Sequence, residues 1–235
     1  MNTWLKGPAR LAITATVAIV VVMSSLMPAT AANLDLHAGE AITIGGSHGC
    51  TLGFFVINSA GSRFGVTAGH CSDTVGQSVT TEDAIIGHVV ARRDDQDGGL
   101  GGIGAARGYT LFDLAEYVHV TTRFKAVSIP GSGEAMTKYG RTTGLTHGEI
   151  LGVLIHPLAH DLSVLWGTAY GTYGDSGGPW FGADGALIGM HAGSFDTGDN
   201  GTFSGKLAQP VVSVIALIQA TAGELGHGIG IWPTT

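Results

Sequence analysis

The sequence predicts an all-β protein with an antiparallel sandwich or barrel architecture. Short apolar runs recur along the chain, and many of its 39 glycines fall between them. Glycine permits the tight turns that join short strands, and no series of helices alternates with the runs. The segments predicted as strands are residues 41–44, 54–57, 63–67, 85–90, 114–120, 150–155, 163–166 and 186–190.

One helix is predicted near the C-terminus. Pro210 starts it, the apolar run 211–218 fills it, and Gly223 ends it. Residues 223–235 are predicted to form a tail. Residues 94–108 are charged and then glycine-rich, which indicates a surface loop.

The charge pattern argues against nucleic acid as a partner. The net charge is -7, only 12% of the residues are charged, and the largest basic cluster is the pair Arg92–Arg93. Binding to phosphates needs basic patches, which this sequence lacks. Protein or peptide substrates are the expected partners.

Residues 1–31 are predicted to be a signal peptide. Lys6 and Arg10 precede an apolar stretch, and Ala29-Thr30-Ala31 provides a small-residue cleavage site. The alternative is an uncleaved membrane anchor, but Pro28 and the small residues favour cleavage. We therefore expect a secreted protein with no membrane contact after cleavage. In an exported chain, the two cysteines, Cys50 and Cys71, are predicted to pair.

Ser176 lies in the most informative stretch, Gly174-Asp175-Ser176-Gly177-Gly178-Pro179. A serine nucleophile needs a base and backbone N–H groups that stabilise an oxyanion, and a glycine-flanked turn exposes both its hydroxyl and those groups. One alternative is an ordinary glycine-rich turn. Another is the Gly-x-Ser-x-Gly elbow of α/β-hydrolases, which requires an acid and a histidine after the serine and a preceding α/β sheet.

Two further residues complete a candidate triad. His70 follows a predicted strand and adjoins Cys71, so a disulfide would hold its imidazole in place for general-base catalysis. Asp113 stands between apolar residues at the expected start of strand 114–120, where a partly buried carboxylate needs a partner. The alternatives for the acid are Asp94, Asp95 and Asp97, which lie in a hydrophilic run.

These motifs resemble the three signatures of chymotrypsin-like serine proteases. The stretches are Thr67–Cys71, Asp113–Ala115 and Gly174–Pro179, in the family's order of His, Asp and Ser. The spacing of Cys50 and Cys71 also resembles a bridge common in the family. Gly140–Gly144 resembles a turn of the bacterial, streptogrisin-like branch. Over residues 40–222 the chain is thus similar to this family.

The resemblance implies two antiparallel six-stranded β-barrels followed by a C-terminal helix. Residues 32–125 would form the first barrel, and residues 126–222 the second barrel with the helix. It also implies that Ser176 attacks the peptide carbonyl, that His70 takes the serine proton and that Asp113 orients His70. The N–H groups of Gly174 and Ser176 would form the oxyanion hole. Lys138 or Arg141 would pair with Asp175.

The resemblance also suggests a substrate preference. The pocket for the residue before the scissile bond would be lined by Ala169–Tyr173, which contains no acidic residue, and by Gly189–Ser194. The second segment resembles a stretch of glutamyl endopeptidases, so His191 and Ser194 would bind a Glu or Asp side chain. The alternative is a purely structural role for His191.

No cofactor or metal is expected, and a monomer is expected. His156 and His160 stand four residues apart, but Pro157 breaks the helix that a zinc pair would need. The expected activity is that of a serine endopeptidase. The alternative function is that of a binding protein that kept the protease fold and lost turnover.

Overall fold

The computed structural model describes residues 33–82, 84–96, 105–122, 124, 126–196 and 204–232. The predicted signal peptide lies outside this part of the chain, as does Asp97. Within the described residues, no helix has the length and apolar character needed to cross a bilayer.

The first half of the chain forms one large sheet around its own core. The sheet has eight strands in the described residues, and its order is β16-β4-β5-β8-β7-β6-β2-β3. Seven strands are close in sequence: β2 (Ala41–Ile44), β3 (His48–Thr51), β4 (Phe54–Ile57), β5 (Arg63–Ala68), β6 (Ser78–Thr81), β7 (Ala84–Arg93) and β8 (Tyr109–Asp113). The eighth, β16 (Gly230–Ile231), joins the edge at β4.

The second half of the chain forms a closed barrel of six antiparallel strands. Its order is β10-β11-β12-β15-β14-β13. These strands are β10 (Ala135–Gly140), β11 (Gly144–Leu154), β12 (Val164–Gly167), β13 (Pro179–Gly182), β14 (Leu187–Asp196) and β15 (Ser204–Pro210). Two further strands, β1 (Leu34–His37) and β9 (Val118–Thr121), form a separate parallel pair.

A shared apolar core joins the large sheet to the barrel. Phe54 and Val66 from the sheet belong to the same buried cluster as Phe181 and Met190 from the barrel. The helix α1 (Val211–Thr221) begins directly after Pro210, and its buried face, which includes Val214, packs into this cluster. The cluster therefore holds the ends of the two sheets beside each other, where the candidate site lies.

The all-β class, the closed six-stranded barrel and the helix are confirmed. The first sheet differs from the expected six-stranded barrel, because it is an eight-stranded sheet that does not close on itself. Within the segment predicted as a tail, residues 223–226 form a short 3-10 helix and Gly230–Ile231 pair with β4.

The predicted strand 114–120 is wrong in a way that matters for the site. The chain instead forms β8 up to Asp113, turns, and resumes as β9 at Val118. Backbone bonds from Leu114 to Arg63 and from Ala115 to Ile86 fix this turn. Asp113 thus ends a strand, whereas the sequence pattern suggested that it begins one.

Candidate active site

His70 lies in a 3-10 turn, Gly69–Cys71, directly after β5. The predicted disulfide is confirmed: Cys71 is bonded to Cys50 on β3, with the two Cα atoms 6.1 Å apart. Gly69 is needed for close packing, since a Cβ there would lie 2.4 Å from the carbonyl oxygen of Arg93. The turn is therefore attached covalently to one strand and packed against another, so the position of the imidazole is fixed.

Ser176 lies in a glycine-rich turn that precedes β13. Gly174 and Gly177 have φ angles of +93° and +86°, in the left-handed region that favours glycine. Thr51 ties this turn to the first sheet, because its N–H donates to the Ser176 carbonyl at 2.8 Å and its hydroxyl donates to the Gly174 carbonyl at 2.8 Å. The serine is thus held against the sheet that carries His70.

Seven residues are predicted for catalysis, oxyanion stabilisation or substrate binding, and all of them except Asp113 line one cleft. The cleft has a volume of about 730 Å³. The predicted residues that line it are His70, Tyr173, Gly174, Ser176, His191 and Ser194. The structure therefore brings these six predicted residues together in one cleft.

Two backbone N–H groups beside Ser176 are available to a ligand. The N–H groups of Gly174 and Ser176 have no hydrogen-bond acceptor among the described residues, whereas those of Asp175, Gly177 and Gly178 are all bonded. Free N–H groups at this place match the pair that was predicted to stabilise an oxyanion.

The carboxylate that meets His70 belongs to Asp95. Oδ2 of Asp95 lies 2.6 Å from Nδ1 of His70, and the Asp95 side chain is only 12% exposed. Its other oxygen accepts the N–H of Gly108 at 2.7 Å, and Nη1 of Arg107 lies 3.8 Å from Oδ2. Asp95 follows β7, whose end lies beside the turn of His70.

The assignment of Asp113 as the acid that orients His70 is corrected by this geometry. In the antiparallel pairing of β5 with β8, Asp113 faces Phe64, whereas Tyr109 faces Ala68 at the end nearest His70. Four residues of strand separate those two ends, a distance of about 13 Å. Asp113 is exposed, and its Oδ1 accepts the N–H of His88 at 2.5 Å.

Lys138 is the partner of Asp175. Its Nζ lies 2.8 Å from Oδ2 of Asp175, and both side chains are completely buried. Burial alone would raise the pKa of Asp175, but hydrogen bonds from Lys138, Thr143 and the Thr172 N–H lower that pKa to about 2. Arg141, the other predicted partner, donates instead to the Ile42 carbonyl at 2.7 Å.

His191 forms the buried wall of the cleft. Its side chain is buried and stacks on Trp180, with ring centroids 6.0 Å apart, and Nδ1 has no hydrogen-bond partner in the described part of the chain. Burial, together with the positive charge of Lys138, lowers its pKa to about 3. The imidazole is therefore neutral at physiological pH and offers one N–H to a ligand.

Lys206 is a residue of this wall that the sequence analysis missed. It pairs with Ser194 across β14 and β15, and its Nζ donates to the Ser194 hydroxyl at 2.8 Å. We call the part of the cleft lined by His191, Ser194 and Lys206 the specificity pocket. Tyr173 lies at the edge of the cleft with a side chain that is 96% exposed.

Comparisons with known proteins agree with this geometry. No protein-family model matches the chain. Glutamyl endopeptidase 2 of Streptomyces griseus is 29% identical over 198 residues, which cover 78% of this chain and 97% of that protein. Streptogrisin-D of the same organism is 30% identical over 209 residues, which cover 80% of this chain and 48% of that protein. The chain is thus similar to bacterial chymotrypsin-like serine endopeptidases.

Solved structures show that this protease has the chymotrypsin-like two-barrel fold. Thermobifida fusca protease A matches with a TM-score of 0.59 and 20% identity, over 86% of this chain and 100% of that one. A glutamic-acid-specific serine protease, described as using a histidine triad in substrate binding, matches with a TM-score of 0.59 and 22% identity. That match covers 84% of this chain and 100% of the other. At these identities the similarity concerns the fold.

The protease spans different shares of its relatives. It covers 97% of glutamyl endopeptidase 2 but 60% of streptogrisin-A, also from Streptomyces griseus, and about half of streptogrisin-D. Its relatives thus include chains considerably longer than the part they share with it.

Proposed function

We propose that this chain is an exported endopeptidase that cleaves the peptide bond after Glu or Asp, with His70, Asp95 and Ser176 as its triad. The observation that supports catalysis most strongly is that His70 and Ser176 line one cleft, with a carboxylate 2.6 Å from the far nitrogen of His70. The predicted signal peptide and the Cys50–Cys71 disulfide support export.

The proposed reaction begins with the protonation states of the triad. Asp95 accepts the hydrogen on Nδ1 of His70, which leaves Nε2 free as the base. As Ser176 Oγ bonds to the carbonyl carbon of the substrate, its proton passes to Nε2, and the carbonyl oxygen becomes an oxyanion. The N–H groups of Gly174 and Ser176 donate to that oxyanion.

The second half of the reaction releases the two products. The protonated His70 gives its proton to the leaving amine, the peptide C–N bond breaks, and an acyl-enzyme on Ser176 remains. Water then attacks the acyl carbon, its proton passes to His70, and the serine takes that proton back as the acid product leaves. Asp95 stabilises the imidazolium form of His70 in both halves without itself becoming protonated.

The preference for an acidic residue rests on the specificity pocket. Neutral His191 and the hydroxyl of Ser194 line it, and no Asp or Glu is among the residues lining the cleft. His191 is buried and Ser194 is exposed. A buried donor such as the His191 N–H favours a carboxylate over an analogue that leaves it unpaired, and the Ser194 hydroxyl adds a second donor. The same lack of an acidic residue argues against cleavage after Lys or Arg.

The test is a cleavage profile on a peptide library, with Ser176→Ala as the matched control. We expect the wild-type chain to cleave after Glu and Asp and to be labelled covalently at Ser176 by an organophosphorus reagent. The Ser176→Ala variant should retain only a low residual activity. A profile dominated by Phe, Leu or Arg contradicts the preference. A folded chain that neither cleaves nor reacts with the reagent supports instead a binding protein with the protease fold.

A further inference from the structure

The specificity pocket contains a cation, Lys206, that has no acidic partner among the side chains that the structure describes. Lys206 is half-buried, and its Nζ lies 5.8 Å from the centre of the Tyr170 ring. Among the side chains that the structure describes, no carboxylate lies within 4.0 Å of this ammonium group. Lys138, the other lysine near His191, already pairs with Asp175 at 2.8 Å. Within the described part of the pocket, the available positive charge is therefore that of Lys206.

His191 does not provide this charge. Burial, aided by Lys138, lowers its pKa to about 3, so the ring stays neutral wherever a substrate carboxylate is ionised. Since Nδ1 is buried without a partner, the ring hydrogen is assigned to Nε2, which lies beside Gly171 at the cleft. One neutral N–H orients a carboxylate but does not neutralise it.

Lys206 also determines how Ser194 presents its hydroxyl. An ammonium group only donates, so Ser194 Oγ is the acceptor in the 2.8 Å bond between them. The hydroxyl hydrogen of Ser194 is then free to donate elsewhere, and the substrate carboxylate supplies an acceptor. Because the two residues are direct partners in the β14–β15 ladder, the backbone fixes this arrangement.

We infer that Lys206 is the specificity-determining cation of this protease, which recognises an acidic substrate side chain by charge while His191 and Ser194 orient it. The inference rests on the proposed preference for Glu or Asp. It assigns the discrimination between Glu and the isosteric Gln to Lys206, since an ionised carboxylate gains more from an ammonium group than a neutral amide oxygen does. Loss of this contact is expected to lower the Glu-to-Gln ratio of kcat/KM on the order of 10- to 100-fold.

The experiment compares two peptides that differ only in Glu or Gln before the scissile bond, using the wild-type chain, Lys206→Met and Lys206→Arg. The Met variant keeps most of the aliphatic stem and removes the charge, whereas the Arg variant keeps the charge. We expect the ratio to fall in the Met variant and to be largely restored in the Arg variant. If Lys206→Met does not fold, Lys206→Gln replaces it, because its amide still donates to Ser194.

The outcomes separate this inference from the proposed function. A wild-type chain that prefers Glu, with the same ratio in Lys206→Met, overturns the role of Lys206 and leaves the acidic preference to His191 and Ser194. A wild-type chain that does not distinguish Glu from Gln contradicts the proposed preference and this inference together. An equal fall of the ratio in the Met and Arg variants also overturns the charge-based role, since it indicates a dependence on shape.

Discussion

Nδ1 of His70 lies 2.6 Å from Oδ2 of Asp95, which is the second residue after the end of β7. The same carboxylate accepts the N–H of Gly108 through its other oxygen. The acid therefore comes from the connection between β7 and β8, and its two oxygens have different partners. This arrangement distinguishes Asp95 from Asp113, which lies at the other end of β8.

The first prediction concerns the identity of the acid. Asp95→Asn is expected to reduce kcat by about 10⁴-fold, because an amide in this place stabilises the wrong tautomer of His70. Asp113→Asn is the matched control, since its remaining oxygen still accepts the N–H of His88. Steady-state kinetics of both variants on one peptide test this prediction. A large loss of kcat in the Asp113 variant alone would instead identify Asp113 as the acid that orients His70.

The second prediction concerns the backbone at Gly174. Its φ is +93°, and a Cβ there would lie 2.5 Å from Oγ1 of Thr142, so Gly174→Ala moves the N–H that faces the cleft. We expect kcat to fall on the order of 100- to 1000-fold, as for the loss of one oxyanion donor.

Gly185→Ala provides the control for Gly174→Ala. Gly185 also has a positive φ, +77°, but a Cβ there meets no atom within 4 Å. Each variant is expected to carry a conformational cost of about 1–2 kcal/mol, yet only the Gly174 variant should lose turnover. Equal kinetics in the two variants would exclude Gly174 from the oxyanion site.

The fold class, and the grouping of six candidate residues in one cleft, follow from local sequence signals. Glycines mark the turns, and the motifs around His70 and Ser176 carry the candidate nucleophile, the candidate base and the candidate oxyanion donors within a few residues. The acid is different, because its position depends on which apolar run pairs with β5. Residues 109–113 and 114–120 are both apolar enough to form a strand, and only the long-range pairing of Phe64 with Asp113 distinguishes them.

The sequence offered Asp95 only as an alternative acid and did not point to Lys206, and both outcomes have a physical reason. Asp95 stands in a hydrophilic run that is typical of an exposed loop, and its burial follows from β7 ending beside His70. Lys206 reaches the cleft because it pairs with Ser194 across two strands, a register that depends on a bulge between His191 and Gly193. Neither pairing leaves a local pattern in the sequence.

The third prediction concerns the buried ion pair beneath the serine turn. Asp175→Asn leaves the Lys138 ammonium buried without its counter-charge, which is expected to cost about 3–5 kcal/mol of unfolding free energy. Asp94→Asn is the control, since its ion pair with Arg92 is at the surface and is expected to contribute about 0–1 kcal/mol. Urea unfolding measures the unfolding free energy of both variants. Equal losses would contradict the expectation that the buried ion pair contributes more to stability than the surface pair.

The Lys138–Asp175 ion pair also makes the stability of the fold decrease at low pH. The pKa of Asp175 is lowered from 3.8 to about 2, so the unfolded chain binds the proton more tightly than the folded chain. Its contribution is fully present above the unfolded pKa and is lost as pH falls through about 2. The stability difference between the wild-type chain and Asp175→Asn should therefore narrow over that range.

The last prediction concerns the pH dependence of substrate preference. The groups that face His191 are Lys138, Asp175, Lys206 and His70, and burial is the main cause that lowers the His191 pKa to about 3. If a protonated His191 bound the substrate carboxylate by charge, its own positive charge would be lost as pH rises through the ordinary histidine pKa of about 6.5. Because His191 is already neutral, the Glu-to-Gln ratio of kcat/KM should stay constant from about pH 5.5 to 8.5, where the Glu side chain is ionised.

Taking the ratio cancels the pH dependence of the catalytic step, since both peptides use the same triad. His191→Gln is the matched control, because it keeps a neutral donor and should give an equally flat profile at a lower ratio. A wild-type ratio that falls about tenfold between pH 5.5 and 7.5, with a flat profile in the variant, would mean that His191 carries the charge. A flat wild-type profile instead agrees with a permanent cation, and Lys206 is the cation that the specificity pocket contains.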